Sequence, residues 1–309
     1  MMPDELSDLV HIGTRVIRSD AEFAHMQAIR TAGFTPWYID AHNPSSFTNG
    51  RVTMNAVAQA FPEFFHEART GDNRAVGYLA TIPGYWSGTI HTLSNLHDYR
   101  QGFRLGRRQI RQLGLAWRCA QAIPALRPAF DWLTTKLREE LLVGANSIVL
   151  VAMTIDPEFQ GMRLPTMFFD AVKRAARGLG LTHIIAPFRP VSYGQYKAIQ
   201  QTTHSAELFN EYCALRDAQD LPVDPCLRAA ARNGAEFLRP EPRSFTIERP
   251  LDKFERLRHT FNREQWYSPQ PDIWECGETP TWYVDRARSV VTSVEPNLWG
   301  RLRLDVPAS

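Results

Sequence analysis

Residues 147–190 read SIVLVAMTIDPEFQGMRLPTMFFDAVKRAARGLGLTHIIAPFRP. The run from Ile148 to Ile155 is apolar and rich in β-branched residues, the composition of a buried strand. Asp156-Pro157 marks a turn, and the polar string Gln160-Gly161-Met162-Arg163-Leu164-Pro165 leads into an amphipathic pattern that ends near Arg177. Gly178 and Gly180 stop that helix, and a second apolar run starts at His183. A strand, a polar loop opening a helix, and a second strand thus follow one another. The first turn of such a helix has backbone N–H groups without intrahelical acceptors and lies at the positive end of the dipole. The loop is therefore suited to hold an anion.

Upstream, residues 64–69 and 75–82 read as a strand pair around the turn Gly71-Asp72-Asn73. Before them come a helix with Phe23, Met26 and Ile29 on one face, an extended run through Phe34 and Ile39, and a helix over residues 52–61. Downstream, a helix is expected over residues 205–218. Asp224-Pro225 then reads as an N-cap followed by the first residue of a helix that stops at Asn233-Gly234. Residues 235–238 and 244–248 are expected to pair as two closing strands. A helix over 251–262 follows, and then a tail with Trp266, Trp274, Trp282, Tyr283 and Trp299 that caps the core or lines an acceptor pocket.

The chain has 309 residues, 44% hydrophobic and 22% charged, with a net charge of +2. This is the composition of a globular domain, and the overall charge does not indicate a nucleic-acid binder. No apolar run approaches the length of a membrane span, and the acidic start MMPDELSDLV lacks a signal-like core, so a cytoplasmic location is expected. Four scattered cysteines have no metal-type spacing, and no metal motif is found. Between Tyr99 and Phe130 there is no acidic residue, but there are seven arginines: Arg100, Arg104, Arg107, Arg108, Arg111, Arg118 and Arg127. They alternate with apolar residues, as in a helical lid with a basic face or a docking surface for a polyanion.

The 147–190 segment resembles the cofactor motif of the Gcn5-related N-acetyltransferase (GNAT) superfamily. In that family, a strand ending in Asp-Pro is followed by a Gln/Arg-x-x-Gly-x-Gly/Ala loop that wraps a coenzyme A pyrophosphate. Ile155, Asp156, Pro157, Gln160, Gly161 and Leu164 fit the motif. Arg163 and Pro165 stand where the family carries small residues; Pro165 has no N–H to donate, while Arg163 could meet a phosphate. Asp224-Pro225-Cys226-Leu227-Arg228, Pro242-Arg243-Ser244-Phe245 and Glu295-Pro296-Asn297-Leu298-Trp299 further resemble a larger GNAT-like subgroup.

The resemblance implies an α/β (α+β) fold with a mixed, mostly antiparallel central sheet flanked by helices. It implies an acyltransferase domain over residues 1–248, with a helical insertion at about 87–146 and a second insertion at about 190–223. Residues 249–309 are then an extension on the core. It further implies an N-acyltransferase that takes an acyl group from acyl-CoA, or another pantetheine-bound donor, to an amine by direct attack. The donor would be held by Met153, Thr154, Ile155, Gln160, Gly161, Met162, Arg163, Leu164 and Thr166. The family's tyrosine acid in the last helix is missing, since Ala230 stands there. Tyr193, Tyr196, His66 and Glu67 are the candidate replacements. A donor carried by an acyl carrier protein would suit the arginine-rich insertion. Alternatives on the same fold are an aminoacyl-tRNA donor or a non-catalytic binding protein.

Overall fold

A computed structural model describes residues 10–14, 21–22, 24–25, 56–88, 107–260 and 265–304, with side chains at 107–111 left aside. The expected helix carrying Phe23, Met26 and Ile29, the extended run through Phe34, and Arg100 and Arg104 lie outside the described residues. The chain divides into two compact units, Met1–Tyr85 with Arg100–Ile184, and Trp86–Tyr99 with Ile185–Ser309.

The first unit contains the strands β1 (Val10–Thr14), β2 (Phe65–Thr70), β3 (Ala75–Gly84) and β4 (Ser147–Ile155), each antiparallel to the next. Between β3 and β4 stand the helices α1 (Arg107–Ala122) and α2 (Arg127–Leu142). After β4 comes the short 3-10 turn Pro157–Phe159, then α3 (Leu164–Gly178). Pro165 sits in the first turn of α3, where its missing N–H costs nothing. Leu164, Phe168, Phe169, Val172 and Ala176 form the buried stripe of α3, and each large side chain contributes about 1.5–3 kcal/mol. The helix closes with Gly180 at φ 67°. The Leu181 N–H bonds the Ala176 carbonyl at 2.9 Å and the Gly180 N–H bonds the Arg177 carbonyl at 3.1 Å, a Schellman ending.

The strand β5 (His183–Phe188) begins in the first unit and continues into the second. The second unit holds α4 (Tyr193–Ile199), α5 (Ala206–Ala214), α6 (Pro225–Arg232), β6 (Ala235–Pro250), α7 (Leu251–Thr260), β7 (Tyr267–Gln270), β8 (Ile273–Glu275), β9 (Thr281–Asp285) and β10 (Val290–Leu302).

Two expectations are corrected here. Residues 235–238 and 244–248 do not pair with each other: both belong to the single strand β6, whose antiparallel partner is β10 from the tail. Two register shifts along β10, at Glu295/Asn297 and Trp299/Gly300, absorb the proline-containing stretch of β6 that the sequence suggests is a break. The helix expected to reach residue 218 stops at Ala214. Beyond it, the Asp217 carboxylate accepts the N–H groups of Gln219 and Leu221, an Asx-type turn that competes with helix.

The tail is mostly sheet. β10 pairs with β9 over Val290–Val294, and β9–β8–β7 continue outward. Trp282 and Trp299 are fully buried. Phe254 of α7 meets Trp266 edge-on with centroids 5.6 Å apart, Trp266 meets Trp282 at 4.8 Å, and the Arg258 guanidinium lies 3.7 Å over Trp274. These aromatic residues hold α7 onto the sheet.

Candidate functional site

In the first unit, the loop between β4 and α3 is held from both sides. Asp156 is buried; its N–H bonds the Val76 carbonyl at 2.9 Å, and its Oδ1 accepts the Glu158 N–H at 3.1 Å. Arg74, at the start of β3, donates to Asp156 Oδ2 at 2.9 Å and Glu158 Oε2 at 2.8 Å, and lies over the Phe159 ring. Asp156 therefore fixes where β4 ends, and the loop leaves it in a defined direction. Arg74 is absent from the sequence reading, since an ion pair across 82 residues leaves no local signal.

Gly161 has φ 79°, a left-handed conformation that favours glycine. Gln160, Gly161 and Arg163 are exposed, Met162 and Thr166 are half-buried, and Leu164 is buried as the anchor of the helix start. The Leu164 N–H is taken by the Met162 carbonyl at 2.7 Å, and the first intrahelical bond runs from the Met167 N–H to the Arg163 carbonyl at 3.2 Å. The Thr166 N–H precedes it in the first turn, where no intrahelical acceptor exists, and Pro165 has no N–H. Arg163 is the N-cap residue, and its side chain starts at the helix mouth. Met153, Thr154 and Ile155 lie opposite Leu79, Tyr78 and Gly77 on β3. The loop can hold an anion through backbone N–H groups supplemented by one guanidinium.

His66 and Glu67 are neighbours on β2 and leave opposite faces. Glu67 is buried and makes a bidentate pair with Arg69, Nε to Oε1 at 2.5 Å and NH2 to Oε2 at 3.1 Å; Arg69 also binds Glu22. His66 is half-buried.

Tyr193 and Tyr196 lie one turn apart on α4 of the second unit. Tyr193 is fully buried among Phe209, Tyr212 and His204. Its hydroxyl is 3.0 Å from His204 Nδ1, and His204 Nε2 is 2.7 Å from the Pro242 carbonyl. A carbonyl can only accept, so Nε2 carries the proton and Nδ1 accepts from the tyrosine. Burial pushes the Tyr193 phenol far up, so it stays protonated. Tyr196 is half-buried, with its hydroxyl 3.5 Å from Glu211 Oε1; desolvation and then the Glu211 charge raise its pKa.

Beneath α4, Lys197 is fully buried against Glu275, Nζ to Oε2 at 2.6 Å. Lys197 also donates to the Thr279 carbonyl at 3.1 Å and to Thr281 Oγ1 at 2.9 Å, and that hydroxyl donates to Glu275 Oε1 at 2.6 Å. Asp224 organises the other end. Its Oδ1 caps α6 through the N–H groups of Cys226 and Leu227, and its Oδ2 accepts the Ser192 N–H and the Tyr212 hydroxyl, both at 2.9 Å. Asp224 is legible as a cap; its long-range partners are not. Lys197, Glu275 and His204 carry no recognisable motif.

Burial, with the nearby Lys197 charge, pushes His204 down to about 4. The unfolded histidine takes a proton near pH 6.5 and the folded one only near 4, so the unfolded state binds more protons in between. Stability should fall by roughly 3 kcal/mol as pH drops through that window. Melting temperatures from pH 7.5 downward test this, with His204→Gln as the comparison. An equal pH slope in that variant would reassign the effect.

Among the described residues, no group of three or more His, Cys, Asp or Glu side chains is placed to hold a metal ion. No family model and no curated protein sequence matches the chain. Similar solved structures include the loading GNATL domain of CurA from Lyngbya majuscula (13% identity, 96% of this chain and 98% of that one, TM-score 0.48). Another is the GphF GNAT-like decarboxylase in complex with isobutyryl-CoA (11% identity, 84% and 88%, TM-score 0.41). A third is a GCN5-related N-acetyltransferase from Kribbella flavida (9% identity, 97% and 73%, TM-score 0.32). The fold assignment stands on the chain's own order of elements. An antiparallel β2–β3 hairpin leads to β4, then to a loop with a left-handed glycine, α3 and β5. The fold is mixed α/β, with a mostly antiparallel sheet flanked by helices.

Proposed function

We propose that the protein is an N-acyltransferase that moves an acyl group from a pantetheine thioester to an amine by direct attack. The loop at Gln160–Leu164, with Gly161 left-handed just ahead of the start of α3, carries this reading. Its N–H groups would bind the donor's pyrophosphate, with the Arg163 guanidinium adding the charge that Pro165 cannot replace with an N–H. The backbone of Met153, Thr154 and Ile155 would take the pantetheine arm. Attack of the amine on the thioester carbonyl forms the amide and expels a thiolate, which needs a proton.

Native mass spectrometry with coenzyme A and acetyl-CoA tests the donor, and an amine panel with acetyl-CoA tests transfer. Gly161→Ala forces an alanine into the left-handed region at about 1–2 kcal/mol and should weaken coenzyme A binding. Absence of any coenzyme A adduct would sink the donor assignment.

A further inference from the structure

The backbone from Asp156 to Thr166 divides into a tied half and an open half. In the tied half, Asp156 donates its N–H to the Val76 carbonyl at 2.9 Å and Glu158 to Asp156 Oδ1 at 3.1 Å. Phe159 donates to the Asp156 carbonyl at 2.8 Å and Gln160 to the Pro157 carbonyl at 3.3 Å. Pro157 has no N–H, so every backbone donor from 156 to 160 is taken. In the open half, the N–H groups of Gly161, Met162 and Thr166 have no acceptor among the described residues. The boundary falls at the left-handed Gly161.

One side chain ties the first half to the β2–β3 turn. The Arg74 guanidinium bonds Asp156 Oδ2 at 2.9 Å and Glu158 Oε2 at 2.8 Å, and lies 5.6 Å from the centroid of the Phe159 ring. Its contacts thus fall on both ends of the 3-10 turn Pro157–Phe159 and on the residue before it. Arg74 itself stands on a fixed base. Its N–H bonds Thr70 Oγ1 at 3.1 Å, its carbonyl accepts the Thr70 N–H at 3.0 Å, and the buried Arg69 donates to the Asn73 carbonyl at 2.7 Å. Arg74 is 43% exposed and Glu158 69%, so the pair between them adds little to stability. What the contacts supply is direction: the chain enters Gly161 from a segment that is held at three points.

We propose that Arg74 is a positioning residue for donor binding. By tying Asp156 and Glu158 to the β2–β3 turn, it aims the open N–H groups at the donor's pyrophosphate, although it does not touch the donor itself. This rests on the donor reading given above. A loop whose donors are pre-aimed binds without the cost of ordering them, and a loop released from its support does not.

Isothermal titration with coenzyme A tests the proposal on the full chain, with Arg74→Met and the double variant Arg74→Met, Glu158→Gln. Arg74→Met should weaken coenzyme A binding at least about tenfold, with the melting temperature within about 4 °C of wild type. The double variant has the same net charge as wild type but no tie, and should stay at least about tenfold weaker. Hydrogen exchange in the ligand-free protein is the second readout: the amides of Glu158, Phe159 and Gln160 should exchange at least about tenfold faster in Arg74→Met. Wild-type affinity in Arg74→Met would overturn the positioning role. Recovery in the double variant would overturn it in favour of a simple charge effect. If wild type itself bound no coenzyme A, the donor reading would fall; unchanged exchange at 158–160 would overturn the positioning role whether or not coenzyme A binds.

Discussion

Replacing Lys197 with methionine is expected to destabilise the second unit by about 3–5 kcal/mol. The ammonium and the Glu275 carboxylate are both 0% exposed and lie 2.6 Å apart. Burial disfavours the charge on each: it lowers the Lys197 pKa and raises that of Glu275, and their attraction offsets both effects. The surrounding hydrogen bonds are closed into a ring, because Thr281 accepts from Lys197 and donates to Glu275. Methionine fills the space but leaves Glu275 buried without its cation. The cost relative to wild type should shrink as pH falls toward the carboxylate range, because a neutral Glu275 needs no counter-ion.

The double replacement Lys197→Met, Glu275→Leu removes both charges together and should recover most of the loss. Urea unfolding followed by tryptophan fluorescence of the wild type, the single variants Lys197→Met and Glu275→Leu, and the double variant measures the coupling. A loss under about 1 kcal/mol for Lys197→Met would mean that water reaches the pair. A double variant no better than the single would mean that the lysine works through packing instead.

That ion pair also shows where sequence reading stops. The segment at 147–190 is legible to within a residue or two because every signal in it is local: a β-branched run, a proline in the first turn, a glycine in the left-handed stop. The hairpin β2–β3 and the Asp224 cap are legible for the same reason. Lys197 and Glu275 are 78 residues apart, and Arg74 and Asp156 are 82 apart; nothing in either neighbourhood marks the other. The partner of β6 illustrates the same limit. Pairing two short runs within 235–248 satisfies local rules, and only the register with residues 290–302 shows that both runs are one strand. In the candidate site, the loop residues are legible through the motif they resemble, whereas the commitment of Tyr193 to His204 depends on a fold-level contact. Two tyrosines that the sequence cannot rank thus differ in their partners: Tyr193 is buried against His204 at 3.0 Å, and Tyr196 is half-buried with Glu211 at 3.5 Å.

Gly194→Ala should be more damaging than its position on a helix suggests. Alanine is favoured over glycine inside a helix by about 1 kcal/mol, so propensity alone predicts a gain. The backbone of α4 passes directly over the turn after β8, however. A Cβ on Gly194 would lie 2.2 Å from the Gly277 carbonyl oxygen and 2.3 Å from the Glu278 carbonyl. Both are main-chain atoms that cannot rotate away. Gly277 is itself left-handed at φ 72°, and Lys197, one turn along α4, is bonded to Thr279 and Thr281 of the same segment. Either α4 lifts and strains the buried ion pair, or the turn moves and Glu278 is pulled from Arg189, 3.2 Å away. The expected cost is about 3 kcal/mol or more, at the upper end for overpacking. Gly178→Ala at the end of α3, where nothing lies within 4 Å, should instead be neutral or gain up to about 1 kcal/mol. Unfolding midpoints of the two variants should therefore move apart. If Gly194→Ala matched Gly178→Ala, α4 could not rest on the 277–278 backbone, and the close seating of the tail against α4 would be wrong.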